Sequence, residues 1–82
     1  MSEEKITSVI ETLSQIQEDI SVPKNIRSKM ENAIQALQDD TKSKEVKVDK
    51  SLQELESLDE DPNIPVYTRT QIWNAVSLLE SL

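Results

Sequence analysis

The sequence has no cysteine, no histidine, no glycine and no phenylalanine. Without thiolate and imidazole ligands, the chain by itself cannot build the sites that usually hold zinc, blue copper or iron–sulfur clusters. The same absences remove Ser-His-Asp and Cys-His catalysis. Walker A loops, dinucleotide fingerprints and EF-hand loops need glycine where the backbone turns with positive φ or nears a phosphate, so those routes are closed too. No disulfide framework can form, and no apolar h-region marks a secretory signal. No uninterrupted apolar run approaches the ~18 residues of a membrane span. We therefore expect a soluble, cytoplasmic protein that is not an enzyme, binds no cofactor or small molecule and has no membrane partner.

What is present is small and acidic. The 82 residues fit a single domain, 1–82, and carry a net charge of -7. Affinity for nucleic acid comes from neutralising phosphates with Lys and Arg, so the chain as a whole is repelled. Its cations fall in two zones, Lys24, Arg27 and Lys29, then Lys42, Lys44, Lys47 and Lys50. Separated cations on an acidic protein mostly serve solubility and local ion pairing. The acidic series Glu54, Glu56, Asp59, Glu60 and Asp61 is expected to be solvated helix surface and corner, with no metal site.

Charged residues make up 30% of the chain, a composition that leans towards disorder, but periodicity decides otherwise. Ile6, Val9, Ile10, Leu13, Ile16 and Ile20 recur at the spacing of one helix face, with polar residues between them. The spacing predicts a helix over 3–19, capped by Ser2, with Glu3 and Glu4 at the positive end of its dipole. Pro23 then stops it, because the residue before a proline is steered out of the α region, and opens a second helix. Ile26, Met30, Ala33, Ile34 and Leu37 form that helix's apolar face.

Sliding the chain forty-two places onto itself brings the pattern back. Leu13 meets Leu55, Ile16 meets Leu58, Asp19 meets Asp61, Pro23 meets Pro65, Arg27 meets Arg69 and Leu37 meets Leu79. The expected fold is all-α: helices over 3–19, 22–38, 44–60 and 64–81, forming an up-and-down four-helix bundle from two similar hairpins, 3–38 and 44–82. Short corners force antiparallel neighbours, and each hairpin has an apolar stripe that it cannot bury alone.

Three groups invite a functional reading. Asp19, Pro23 and Arg27 recur as Asp61, Pro65 and Arg69, and an Asp–Arg pair across each corner would fix the hairpin angle. The alternative at the first corner is an anion held by Lys24 and Arg27 at the helix N-terminus. Trp73 breaks the repeat, since its counterpart is Glu31, and so does Tyr67, opposite Asn25. Trp73 either seals the rim of the core or, with Val66 and Tyr67, contacts a partner or a second subunit.

The stretch from Asp61 to Glu80, reading DPNIPVYTRTQIWNAVSLLE, resembles the signature region of a family of small uncharacterised archaeal proteins. Ser21 to Arg27 is similar to that family's other shared stretch, with Lys24 where an arginine is commoner; the likeness is looser through Thr41 to Lys50. The resemblance implies an archaeal cytoplasmic protein with an all-helical bundle and no established activity to carry over. The proline-led corner is also similar, over a few residues, to HEAT-type repeats, which would stack as a solenoid with an open face. The resulting expectation is a non-enzymatic protein–protein interaction module, with a protein or a second copy of itself as partner. The competing reading is a ribosome- or RNA-associated accessory protein using Lys24, Arg27 and Lys29.

Overall fold

The computed structural model describes residues 2–58 and 60–82, without the side chain of Ser2. Four helices follow one another: α1 (Ser2–Glu18), α2 (Lys24–Leu37), α3 (Lys44–Glu56) and α4 (Val66–Glu80). No strand occurs among the described residues. The cap expected of Ser2 and the surface position expected of Asp59 lie outside the described side chains.

The helices form a ring. α1 packs on α2, α2 on α3, α3 more sparsely on α4, and α4 returns to α1, while the diagonal pairs do not meet. That closure distinguishes a bundle from a solenoid. Side-by-side stacking would leave α1 far from α4, yet these two helices are in contact and Lys5 Nζ donates to Ser81 Oγ at 3.2 Å. The molecule measures 32 × 21 × 20 Å.

The apolar faces read from the periodicity meet in the centre. Val9, Leu13 and Ile16 from α1, Ile26, Met30, Ala33, Ile34 and Leu37 from α2, Leu55 from α3, and Ile72, Ala75 and Leu79 from α4 are buried. Ile6, Ile10, Val48, Leu52 and Val76 are partly buried against them. Ser51 is fully buried at the position that corresponds to Val9, and its hydroxyl has no hydrogen-bond partner. The two hairpins bury corresponding positions, which any pair of hairpins sharing one core must do; the burial pattern is no separate evidence of duplication.

The helix ends differ from those expected, each for a local reason. Both prolines stand just before their helices, with extended backbone at φ -54, ψ 147 for Pro23 and φ -58, ψ 148 for Pro65. Their carbonyls accept the first helical bonds, from Arg27 N at 3.1 Å and Arg69 N at 2.9 Å. Val22 and Ile64, placed in the helices by the sequence, therefore sit in the corners, where they are still buried and plug the end of the core.

α3 stops at Glu56, about a turn before the expected residue 60. Ser57 Oγ donates back to the Glu54 carbonyl at 2.7 Å, a local bond that competes with continuation of the helix. Leu58 nevertheless remains buried, held by a tighter bond from its amide to the Leu55 carbonyl at 3.1 Å.

Ile20, expected on the apolar face of the first helix, is instead 88% exposed. The helix has ended at Glu18, and the turn at Asp19 carries the chain away from the core.

Candidate functional site

The corners are set by their own aspartates. Asp19 Oδ1 accepts from the Ser21 amide at 3.0 Å and from the Ser21 hydroxyl at 2.6 Å. Asp61 Oδ1 accepts in the same way from the Asn63 amide at 2.9 Å. The α2–α3 connection repeats the device, with Asp39 accepting from both the amide and the hydroxyl of Thr41. An aspartate side chain that binds the backbone two residues on mimics a backbone turn, so all three interhelical corners use one chemistry. The third was legible as Asp39-Asp40-Thr41 once the spacing of the other two was noticed.

These bonds have an electrostatic consequence. Hydrogen bonds from the Ser21 hydroxyl and amide, with a smaller contribution from the charge of Arg27, hold the Asp19 carboxyl below its ordinary pKa. The Thr41 hydroxyl and amide do the same for Asp39, helped by Lys42 and Lys50.

The two corner arginines are held differently. Arg27 is half-buried, and its Nε is buried without a hydrogen-bond partner. It influences Asp19 through space and makes no hydrogen bond to it. Arg69 Nη2 donates to the backbone carbonyl of Asp61 at 2.8 Å, tying the start of α4 to the corner before it. Across the hairpins, Asn25 Nδ2 donates to Asp61 Oδ2 at 3.3 Å. The aspartate of the second corner thus receives a bond from the first turn of α2.

Lys24 and Arg27 share a shallow recess of about 210 Å³ with Gln17, Ser28 and Glu31. Lys29 is drawn away from them: it donates to Ser57 Oγ at 2.8 Å, joining α2 to the end of α3. The first basic zone therefore does not converge on one point. In the second zone Lys47 pairs with Asp40 at 3.5 Å, and Lys42 and Lys50 line a recess between α2 and α3 with Asp39 and Glu54. Among the described residues no group of three carboxylates could hold a metal ion.

The exposed apolar residues are a different matter. Val66 is 81% exposed, Tyr67 73% and Trp73 60%, all on α4, and Ile20 in the first corner and Val46 on α3 are exposed too. The antiparallel order brings the end of α1 and the start of α4 to the same end of the bundle, so Ile20, Val66 and Tyr67 all lie towards that end. Trp73 lies seven residues after Val66, two turns on and on the same face of α4. The sequence pattern had assigned Ile20 to the core and so missed it.

A second apolar surface is concave. Along α3, beside Leu82 just past α4, lies a groove of about 680 Å³, lined by Ser43, Lys44, Glu45, Val48, Asp49, Leu52 and Leu82. Periodicity does not reveal it, because Val48 and Leu52 fall on the expected core face and the sparse α3–α4 packing leaves them half-covered.

Residues 1–82 match an uncharacterised protein family, UPF0147. The chain belongs to that family. The crystal structure of an unknown function protein, MMP1188, superimposes with a TM-score of 0.94 at 40% sequence identity, over 98% of this chain and 91% of that one. Among curated proteins, none matches. The family's helical fold is thus seen in an experimental relative, and neither the family nor that relative brings a stated activity. No helix among the described residues is long and apolar enough to cross a membrane.

Proposed function

We propose that this protein is a non-enzymatic interaction module of the cytoplasm of an archaeal cell, whose contact surface is built on Val66, Tyr67 and Trp73. The observation that carries this reading is the exposure of two aromatic side chains and a valine on one helix of a chain with just two aromatics in all. Trp and Tyr supply large contact area at low entropic cost and are enriched where binding energy concentrates. Nothing in the fold needs them outside: the core is filled by aliphatic residues, and α4 would remain amphipathic with polar residues at all three positions. Ile20 at the same end enlarges the surface.

Affinity capture of the tagged protein from native lysate, with and without nuclease, tests the proposal. A protein partner that survives nuclease and is lost with Trp73→Ala supports it. Recovery that nuclease abolishes, with RNA binding that falls steeply between low and moderate salt, would replace it with RNA recognition through Lys24 and Arg27.

A further inference from the structure

The groove along α3 beside Leu82 combines apolar side chains with two carboxylates and one cation. Val48 and Leu52 lie one helical turn apart on α3, and Leu82 joins them in the lining. From Glu45 to Leu52 the wall rises by about 10 Å, roughly two turns, the reach of one helix face with anchors at i, i+3 or i+4, and i+7. Amphipathic helices bind grooves of this kind by inserting such apolar anchors.

Charge is sorted across α3. Lys47 points to Asp40, and Lys50 lines the recess shared with α2, so both cations are matched on that side. The side facing the groove keeps Glu45 and Asp49, both exposed, with Lys44 as the single cation among the lining residues. Three apolar side chains with two carboxylates against one cation complement a helix that is apolar along one face and basic along its flanks. Such complementarity speeds encounter and rejects acidic competitors. A second copy of the chain is a poor match, since its net charge is -7 and like charge opposes docking against the carboxylates of the groove.

We propose that the groove along α3 beside Leu82 docks a basic amphipathic helix of a partner protein, through Val48, Leu52 and Leu82 with the carboxylates of Glu45 and Asp49 beside them. The proposal rests on the reading of the protein as an interaction module and adds a second contact, with a stated partner chemistry.

The test is a titration of the isotopically labelled full chain, followed by amide chemical shifts, with a synthetic Leu/Lys amphipathic peptide of about 14 residues, long enough to form a helix. The controls are a scrambled peptide of the same composition and a Leu/Glu peptide with the same apolar spacing. The expected result is saturable shifts at Val48, Leu52 and Leu82 with the Leu/Lys peptide alone. Reversing the exposed edge, Glu45→Lys with Asp49→Lys, should weaken binding by about tenfold or more without altering the fold. Leu52→Ala should weaken it as well. Equal binding of the scrambled peptide, or indifference to the charge reversal, would overturn the proposal. Saturable shifts confined to Val66, Tyr67 and Trp73 would overturn it while leaving the broader reading in place. Groove shifts on raising the concentration of the chain alone, with no peptide response, would overturn it in favour of a second copy.

Discussion

Lys29 on α2 donates to Ser57 Oγ at 2.8 Å, and Ser57 donates in turn to the Glu54 carbonyl at 2.7 Å, so one serine both ends α3 and ties it to the first hairpin. Ser57→Ala removes both bonds at once. We expect a loss of about 1–2 kcal/mol, at about 0.5–1.5 kcal/mol per hydrogen bond, read as a lower urea midpoint. Unchanged stability in Ser57→Ala would mean that water replaces both bonds without cost.

Leu13 and Leu55 are both fully buried at corresponding positions of the two hairpins. Leu13→Ala and Leu55→Ala should each cost about 2–5 kcal/mol. Stability scaled by length is only about 4–12 kcal/mol, so either change should unfold a measurable fraction of the population. Glu11→Ala, on the exposed side of α1, should change stability by less than about 0.5 kcal/mol. Thermal unfolding followed by circular dichroism gives all three values; equal tolerance at the three positions would contradict the buried faces.

The unpartnered buried hydroxyl of Ser51 runs the other way. A buried polar group without a partner costs about 1–3 kcal/mol, and alanine is the better helix former. Ser51→Ala should therefore stabilise the protein by about 1 kcal/mol in a urea titration. Destabilisation would show that the hydroxyl has a partner, such as a buried water.

Acid should loosen the corners. Hydrogen bonds from Ser21 and Thr41 hold Asp19 and Asp39 below the ordinary carboxyl range. A carboxyl whose pKa is depressed in the folded state contributes stability that is fully present above its unfolded value, about 3.9, and is lost as pH falls through the folded value. Asn at these positions can still accept the turn's hydrogen bonds but does not titrate. The double variant Asp19→Asn with Asp39→Asn should show a shallower fall in urea midpoint between about pH 5 and pH 2 than the parent chain. Identical profiles would mean that these two carboxylates do not contribute to acid sensitivity.

Trp73 separates binding from folding. It is 60% exposed, and surface substitutions usually shift stability by no more than about 0.5 kcal/mol, so Trp73→Ala should leave the melting temperature nearly unchanged while abolishing partner capture. A large fall in melting temperature would make it a structural residue instead.

The sequence by itself determined which residues form helices and which faces are apolar, because a 3.6-residue period is a local property of the chain. It also determined where the two proline-led corners fall, because proline restricts its own backbone and that of the residue before it. The absent residue types excluded thiol, imidazole and glycine-loop chemistry for the same reason: composition needs no fold. Tertiary structure decided the rest. Periodicity cannot tell a closed ring from a stack, and contact between α1 and α4, far apart in the chain, settled that. Helix ends depended on side-chain bonds that compete with the backbone, so Ser57 shortened α3 and Asp19 turned Ile20 outward. The groove beside Val48 and Leu52 exists because α3 and α4 pack sparsely, and how closely two helices approach is a property of the assembled core.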